Sequence, residues 1–166
     1  MEIEYIKCVD NKQGLNLIRP LWEKLNERTK IRSQHFSKYY SRLTFDLRNR
    51  DLVEKSKTGA LRIDLAKDLD TGELIGYCAS TISKDSQGKI DSIYVEPNYR
   101  QYGIGDNLMK RALCWMDNLS TKTKTLVVAA GNEGTFTFYS RYNFYPKATI
   151  LEQVETENSF KESEAP

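Results

Sequence analysis

The sequence is poor in the residues on which disulfide and metal chemistry depend. Its 166 residues include three cysteines and one histidine. Cys8, Cys78 and Cys114 are widely spaced and form no C-x-x-C pair, which predicts neither a disulfide framework nor a thiolate metal site. With His35 as its one histidine, the chain cannot form a multi-histidine metal site, and any Ser-His-Asp or Cys-His arrangement would have to be built on that residue. We therefore expect neither a metalloenzyme nor a hydrolase of the triad type.

Long apolar runs are also missing. The longest, such as residues 126–130, fall far short of the roughly 20 residues that cross a bilayer. The first four residues are polar and acidic and lack the basic and apolar regions of a signal peptide. We expect a cytoplasmic protein with no membrane partner, built as one domain over residues 1–154. Residues 155–166 are expected to form an acidic, flexible tail.

The small net charge of +2 hides a basic region between Arg19 and Arg62. Twelve lysines and arginines face five acidic residues in that region. The charges alternate with apolar residues at helical spacing, so we interpret them as the solvated faces of helices. This pattern does not favour a nucleic-acid partner.

Hydrophobic periodicity predicts a mixed order of strands and helices. The predicted elements are a strand at about 3–9, helices around 17–25 and at about 35–52, strands at 61–65, 74–82 and 90–95, a helix from about 105 to 119, a strand at 126–130, a helix at about 133–142 and a short final strand. The order predicts an α/β class with one mixed, mostly antiparallel sheet and flanking helices.

A glycine-containing loop, V-E-P-N-Y-R-Q-Y-G-I-G at residues 95–105, joins a predicted strand to a predicted helix. Gly103 and Gly105 allow backbone amides to converge on an anion, and the helix directs its unpaired N–H groups to the same place. The loop is not a Rossmann motif, because Leu108 takes the third glycine position, nor a P-loop, because no G-K-[ST] follows. It predicts a phosphate site, with an ordinary glycine turn as the alternative.

Residues 90–144 resemble the GNAT superfamily of N-acetyltransferases. The acetyl-CoA motif of that family, V-x-P-x-x-[RQ]-x-x-G-x-[GA], is matched by Val95, Pro97, Arg100, Gly103 and Gly105. A second motif, N-x-x-A-x-x-F-Y-x-x-x-G-F, has Thr135 for its alanine and Asn143 for its glycine. Its other named positions are matched by Asn132, Phe138, Tyr139 and Phe144.

The resemblance implies the GNAT fold, in which the central sheet is splayed at the CoA-binding strands. It implies an enzyme, an acyltransferase that moves an acetyl group from acetyl-CoA directly to a primary amine of a small molecule or protein. The partners are then acetyl-CoA, as co-substrate, and an amine acceptor, with no metal. The alternative is a catalytically silent acyl-CoA-binding regulatory module.

The resemblance also implies which residues bind CoA. The backbone of residues 93–95 is expected to bind pantetheine and to polarise the thioester carbonyl. The loop from Arg100 to Asp106 is expected to hold the pyrophosphate, and Asn132 to bind pantetheine or cap its helix. The full expected set is Ile93, Tyr94, Val95, Arg100, Gln101, Tyr102, Gly103, Ile104, Gly105, Asp106, Asn132 and Tyr139.

Two side chains are candidates for proton transfer. An alkylamine with a pKa near 10.4 is less than about 0.1% neutral at pH 7, so a base or a water chain must remove its proton. Asp91 lies where several family members place an acidic base, and a solvated strand residue is the alternative. Glu96 is less favoured because the loop is expected to turn it outward. Tyr139 matches the family tyrosine that donates to the departing sulfur, with a core aromatic as the alternative.

The residues of the first helical region do not predict which acceptor is used. His35, Phe36, Tyr39 and Tyr40, with nearby arginines, are interpreted either as a pocket for an acceptor with an anionic group or as one face of a plain amphipathic helix. An alternative is that these aromatic residues pack across the interface of a homodimer.

Overall fold

The computed structural model describes residues 1–8 and 11–154. The strands are β1 (Ile3–Lys7), β2 (Ala60–Asp68), β3 (Leu74–Ile82), β4 (Gln87–Val95) and β5 (Thr123–Leu126). The helices are α1 (Asn11–Arg32), α2 (Ser37–Arg42), α3 (Phe45–Thr58), α4 (Ile104–Asn118) and α5 (Phe136–Ser140), with short 3-10 turns at Pro97–Tyr99 and Glu133–Thr135. The end of the first predicted strand, at Val9, and the predicted tail lie outside the described residues.

The described strands form one sheet in which β1 to β5 follow each other in chain order. Pairing is antiparallel from β1 through β4, and β4 pairs with β5 in parallel. A parallel pair needs a crossover connection, which α4 supplies. The predicted mixed, mostly antiparallel sheet is confirmed.

Helices cover both faces of this sheet. On one face, α1 and α3 bury apolar side chains against β2 and β3, and the rings of Trp22 and Phe45 meet edge to face at 5.5 Å. On the other face, α4 buries Leu108, Met109 and Met116 at helical spacing. Among the described helices, none combines the length and the apolar character that crossing a bilayer requires.

The single helix predicted at about 35–52 is in fact two helices. Helix α2 ends at Arg42, and α3 begins at Phe45. Thr44 between them is extended, and its hydroxyl accepts a hydrogen bond from the Leu47 N–H at 3.3 Å. This N-cap starts a new helix, and apolar spacing that continues across the break does not reveal it.

The last strand also differs from the prediction of residues 126–130. Strand β5 ends at Leu126, and the residues after it leave the sheet. The predicted helix at 133–142 is a 3-10 turn followed by the short α5. Within residues 145–154 there is no final strand.

Candidate active site

Strand β4 carries a β-bulge at Asp91. Ser80 of β3 pairs with Ile90, and Ala79 pairs with Ser92, so Asp91 has no partner in the ladder. A bulge bends its strand and increases the local twist. The bend falls immediately after Ile90, the last residue of β4 that pairs with β5.

The two parallel strands separate beyond the bulge and leave a cleft of about 700 Å³ between them. The Glu96 N–H donates to the Ile75 carbonyl of β3 at 2.8 Å. Because hydrogen-bonded positions alternate along an antiparallel ladder, the backbone groups of Ile93 and Val95 face the cleft instead of β3. The cleft therefore has one wall made of strand edge, which is suited to binding an extended chain.

The loop between β4 and α4 closes one end of this cleft. Gln101 and Gly103 both take the left-handed backbone conformation, with φ of +75° and +73°. The loop leads into α4, whose first N–H groups have no acceptor within the helix and whose positive end favours an anion. A Cβ at Gly105 would lie 3.4 Å from the Phe138 ring, so the loop and α5 are close here. This geometry fits a pyrophosphate.

The charged side chains of the loop are held in place. The Arg100 Nε donates to the Val95 carbonyl at 3.0 Å. The Asp106 carboxylate accepts a hydrogen bond from the Tyr142 hydroxyl and lies 3.1 Å from Nη1 of Arg141. The negative charge at the start of α4 is therefore compensated. Ile104 is buried, whereas Tyr102 is 61% exposed and does not line the cleft.

Tyr139 lines the cleft from α5. Burial raises the pKa of its hydroxyl to about 12, and nearby Cys78 adds to the effect. Its hydroxyl has no hydrogen-bond partner among residues 1–8 and 11–154, and its ring meets the Phe138 ring edge to face at 5.2 Å. Asn143 has a φ of +61°, so it adopts the left-handed conformation that a glycine at this motif position would supply.

The Asp91 carboxylate is turned away from the cleft. Its side chain is 0% exposed, and Oδ1 lies 3.0 Å from the Lys55 Nζ and 3.6 Å from the Arg48 Nη2. Oδ2 accepts a hydrogen bond from the Thr81 hydroxyl at 2.6 Å. Since the side chain is fully buried, the residue reaches the cleft wall through its backbone. The role of Asp91 as a base stays a prediction, and these contacts favour a positioning role.

Sequence reasoning missed a polar chain at the end of β4. Tyr94 lines the cleft, and its hydroxyl donates to Oε2 of Glu96 at 3.2 Å. The other oxygen of Glu96 is ion-paired with Lys24 of α1. The Glu96 side chain is 18% exposed and is not turned outward as expected. The available signal was strand alternation, which places residues 94 and 96 on one face.

Asn132 lines the cleft but does not cap a helix. It precedes the second 3-10 turn without a side-chain capping bond, and its Oδ1 lies 3.4 Å from Nη1 of Arg32. Thr135, which replaces the motif alanine, donates its hydroxyl hydrogen to the Asn132 carbonyl at 2.8 Å. The substitution therefore stabilises the turn that carries Asn132.

The aromatic run after α1 does not line the cleft. His35 and Tyr39 are exposed, and neither they nor Phe36 and Tyr40 border it. The α1 wall of the cleft is instead made by Leu25, Arg28 and Thr29. In the part of the chain that the structure describes, no three His, Cys, Asp or Glu residues are grouped so as to hold a metal.

A mixed sheet split between two parallel strands, with a glycine loop at a helix N-terminus, defines the acyltransferase class to which the sequence motifs pointed. Residues 22–144 match the sequence profile of the acetyltransferase (GNAT) family. The chain belongs to this family, as the motifs implied, and the expected fold is confirmed.

A relative in sequence accompanies this match. An uncharacterised N-acetyltransferase of Methanocaldococcus jannaschii is 29% identical over 85 residues, which are 48% of this chain and 38% of that protein. The matched segment thus spans well under half of the relative.

Solved structures show the same fold at low identity. An aminoglycoside N-acetyltransferase in complex with CoA has a TM-score of 0.65 at 16% identity, over 93% of this chain and 95% of the other. Glucosamine-6-phosphate N-acetyltransferase from Arabidopsis thaliana has a TM-score of 0.62 at 12% identity, over 92% and 98% of the two chains. The fold is shared by enzymes with different acceptors and does not specify one.

Proposed function

We propose that the protein transfers the acetyl group of acetyl-CoA directly to a primary amine. The observation that carries this proposal is the opening between β4 and β5. It presents the backbone of Ile93 and the N–H of Val95 at its edge, ends at the loop before α4, and is bordered by Tyr139. One cleft thus offers a strand edge, an anion site and a proton donor.

The residues of the cleft fit a CoA thioester as the donor substrate. The backbone of Ile93 and Val95 would bind the pantetheine arm as an added strand and polarise the thioester carbonyl. The amides from Gly103 to Asp106 would bind the pyrophosphate at the positive end of α4. Asn132 borders the same cleft and offers its side-chain amide to the arm.

Direct transfer is supported by the absence of an activated nucleophile from the described cleft. Burial raises the pKa of the Cys78 thiol to about 12, so this group is not a thiolate at neutral pH. His35 does not border the cleft and is not a partner for a nucleophile there. The amine nitrogen therefore attacks the acetyl carbonyl carbon itself, the carbon–sulfur bond breaks, and the thiol and the amide are released.

The acceptor must lose a proton to react. We propose that the proton passes through water in the cleft to the Tyr94 hydroxyl and Glu96, which form the polar chain that reaches α1. Asp91 holds the bulge in this scheme, because its side chain is fully buried and faces Lys55 of α3 instead of the cleft. Tyr94 thus contributes its side chain, whereas its backbone groups face β3.

Tyr139 would stabilise the departing sulfur. Its pKa of about 12 keeps the hydroxyl protonated throughout the working range. Full proton transfer to a thiolate near pKa 8.5 would be uphill by roughly 5 kcal/mol. Tyr139 therefore acts as a hydrogen-bond donor, or donates in concert with the loss of the proton from the amine.

The test measures thiol release from acetyl-CoA with a panel of small primary amines and peptides, alongside binding of acetyl-CoA by calorimetry. We expect thiol release that depends on both substrates. Tight binding with no thiol release for any amine would favour the silent acyl-CoA-binding module. No binding of acetyl-CoA would contradict the proposal altogether.

A further inference from the structure

The α1 wall of the cleft carries an arginine without a charged partner. Leu25, Arg28 and Thr29 share one face of α1, at spacings of three and four residues, and this face borders the cleft. Arg28 is partly buried. Among the described residues, it has neither a paired carboxylate nor a hydrogen-bond acceptor.

Three other basic residues of α1 have the carboxylate that Arg28 lacks. None of these three residues borders the cleft. The pairs are Arg19 with Asp46 at 2.7 Å, Lys30 with Glu27 at 2.9 Å, and Lys24 with Glu96.

The positive charges of two further guanidinium groups act on Arg28. Arg32 lies one turn further along α1, and Arg100 belongs to the loop before α4 and borders the same cleft as Arg28. Neither is ion-paired within the described part of the chain. The pKa of Arg28 is lowered, mainly by burial and then by the positive charges of Arg100 and Arg32.

Such an arrangement is unfavourable until an anion binds. Like charges repel, and partial burial removes the water that would screen them. A guanidinium offers a planar fork of donors that matches a carboxylate or a phosphate. The cluster therefore has the properties of a site for an anionic group.

The position of Arg28 distinguishes this site from the pyrophosphate loop. Helix α1 packs on the face of the sheet to which Tyr94 turns, whereas α4 packs on the opposite face. The pyrophosphate loop belongs to α4. The α1 side of the cleft is thus left for the acceptor, which approaches past Arg28 and Tyr94.

We propose that Arg28, assisted by Arg32, binds an anionic group on the acceptor, so that the preferred substrate is a small primary amine that carries a carboxylate or a phosphate. This inference rests on the proposed function, because it assigns a substrate class to the same cleft. In this proposal Arg28 selects the acceptor and takes no part in the transfer of the acetyl group.

The test uses matched pairs of primary amines in the thiol-release assay with the full chain. One pair is an amino acid and its amide, and the other is an amino sugar phosphate and the parent amino sugar. We expect kcat/KM to favour the anionic member of at least one pair by about tenfold or more, and Arg28→Gln to bring this ratio towards one. The KM for acetyl-CoA should change less than about twofold.

Two control variants bracket this result. Arg28→Lys keeps a positive charge without the fork and should keep part of the preference. Arg50 is exposed on α3 and does not border the cleft, so Arg50→Gln should keep all of it. Should Arg28→Gln fail to fold, Arg32→Gln at the exposed end of α1 tests the same site.

An unchanged anionic-to-neutral ratio in Arg28→Gln would overturn the inference. A raised KM for acetyl-CoA with the ratio intact would also overturn it, because Arg28 would then belong to the donor site. A peptide acceptor that outperforms every small anionic amine would overturn the substrate class. If acetyl-CoA binds but no amine releases thiol, the proposed function fails, and this inference fails with it.

Discussion

The Nζ atom of Lys55 lies 3.0 Å from Oδ1 of Asp91, which joins α3 to the bulged residue of β4. The second carboxylate oxygen accepts a hydrogen bond from Thr81 on the neighbouring strand. The Arg48 Nη2 donates to the Asp91 carbonyl at 2.7 Å. Helix α3 therefore holds the bulge through both the side chain and the backbone of Asp91. The position of the bulge determines where β4 leaves β5.

Replacing Asp91 by asparagine keeps the shape and removes the charge. Because Lys55 and Arg48 then face an uncharged group in a buried site, we expect a loss of about 3 kcal/mol in the free energy of unfolding. Urea denaturation measures this loss. The kcat of Asp91→Asn should fall, while the acidic limb of its pH–rate profile stays in place.

The matched control is Asp51→Asn, which removes an exposed carboxylate from the same Lys55 and Arg48. It should cost less than about 1 kcal/mol. A stable Asp91→Asn variant that has lost the acidic limb would show that Asp91 is the base after all.

The polar chain at the end of β4 makes Glu96 the proton acceptor. Unlike Asp91→Asn, a change at Glu96 should therefore alter the pH–rate profile. In Glu96→Gln the proton acceptor is lost, so the acidic limb of the kcat/KM profile should disappear and kcat should fall by about tenfold or more. Glu23→Gln, an exposed change on α1, is the control and should leave both unchanged. An intact acidic limb in Glu96→Gln would exclude this relay.

Lys55 predicts how stability depends on alkaline pH. Burial lowers the pKa of this lysine, but its hydrogen bonds to Asp51 and Asp91 outweigh burial and raise the pKa above its ordinary value of 10.5. A pKa that is raised in the folded state gives stability that is present below the unfolded pKa and is lost as pH rises through the folded value. The stability difference between the wild type and Lys55→Met should therefore narrow above pH 10.5.

Urea midpoints measured from pH 8 to 11.5 test this narrowing. Lys57→Met is the control, because Lys57 pairs with Glu54 on the surface and should give a small difference at every pH. If the stability difference between the wild type and Lys55→Met widened at high pH, the pKa of Lys55 would not be raised in the folded state.

Two elements were predicted well from the apolar residues that each of them contains. Strand β3 was predicted at 74–82 and has these bounds, and α4 shows the apolar spacing from which it was predicted. Strand β5 was predicted too late because Val127 and Val128 have strand propensity. They leave the sheet beside the bulged part of β4, and local sequence does not show what a neighbouring strand offers.

The site likewise contains residues that the sequence predicted and residues that only the packing of the helices reveals. The two motifs predicted Gly103, Gly105 and Tyr139 as site residues from local patterns along the chain, and the structure places all three at the cleft. They could not identify Arg28 or the contact of Lys24 with Glu96, because these depend on how α1 packs against β4. Contacts between elements that are distant in sequence carry no local pattern.

Tyr139→Phe isolates the contribution of one hydroxyl. We expect kcat to fall by about tenfold or more, near 1.4 kcal/mol of transition-state stabilisation, with acetyl-CoA binding retained. Because the pKa of Tyr139 is about 12, the wild type should show no alkaline limb from this residue between pH 6 and 10. Stopped-flow thiol release over this range measures both quantities.

Tyr145→Phe is the matched control, since Tyr145 is 69% exposed and lies outside the cleft lining. It should behave as the wild type. Unchanged turnover in Tyr139→Phe would leave Tyr139 as a core aromatic, and a loss of acetyl-CoA binding would make its role structural.

Gly131 brings the loop after β5 against the end of α1. Its φ is +93°, and a Cβ there would lie 2.3 Å from the carbonyl oxygen of Arg32. Gly131→Ala must therefore separate the loop from α1 as well as strain the backbone. Gly72 has a φ of +76° with open space around its Cβ position, so Gly72→Ala measures the strain alone, at about 1–2 kcal/mol. We expect a larger loss of unfolding free energy for Gly131→Ala in urea denaturation.

The activity of the same two variants separates stability from the shape of the cleft. Because Arg32 and Asn132 meet at this contact, Gly131→Ala should raise the KM of the acceptor, whereas Gly72→Ala should leave it unchanged. Equal losses of stability and equal KM values would show that the loop moves freely away from α1. The acceptor side of the cleft would then not depend on this contact, and Arg32 would have to be positioned by α1 alone.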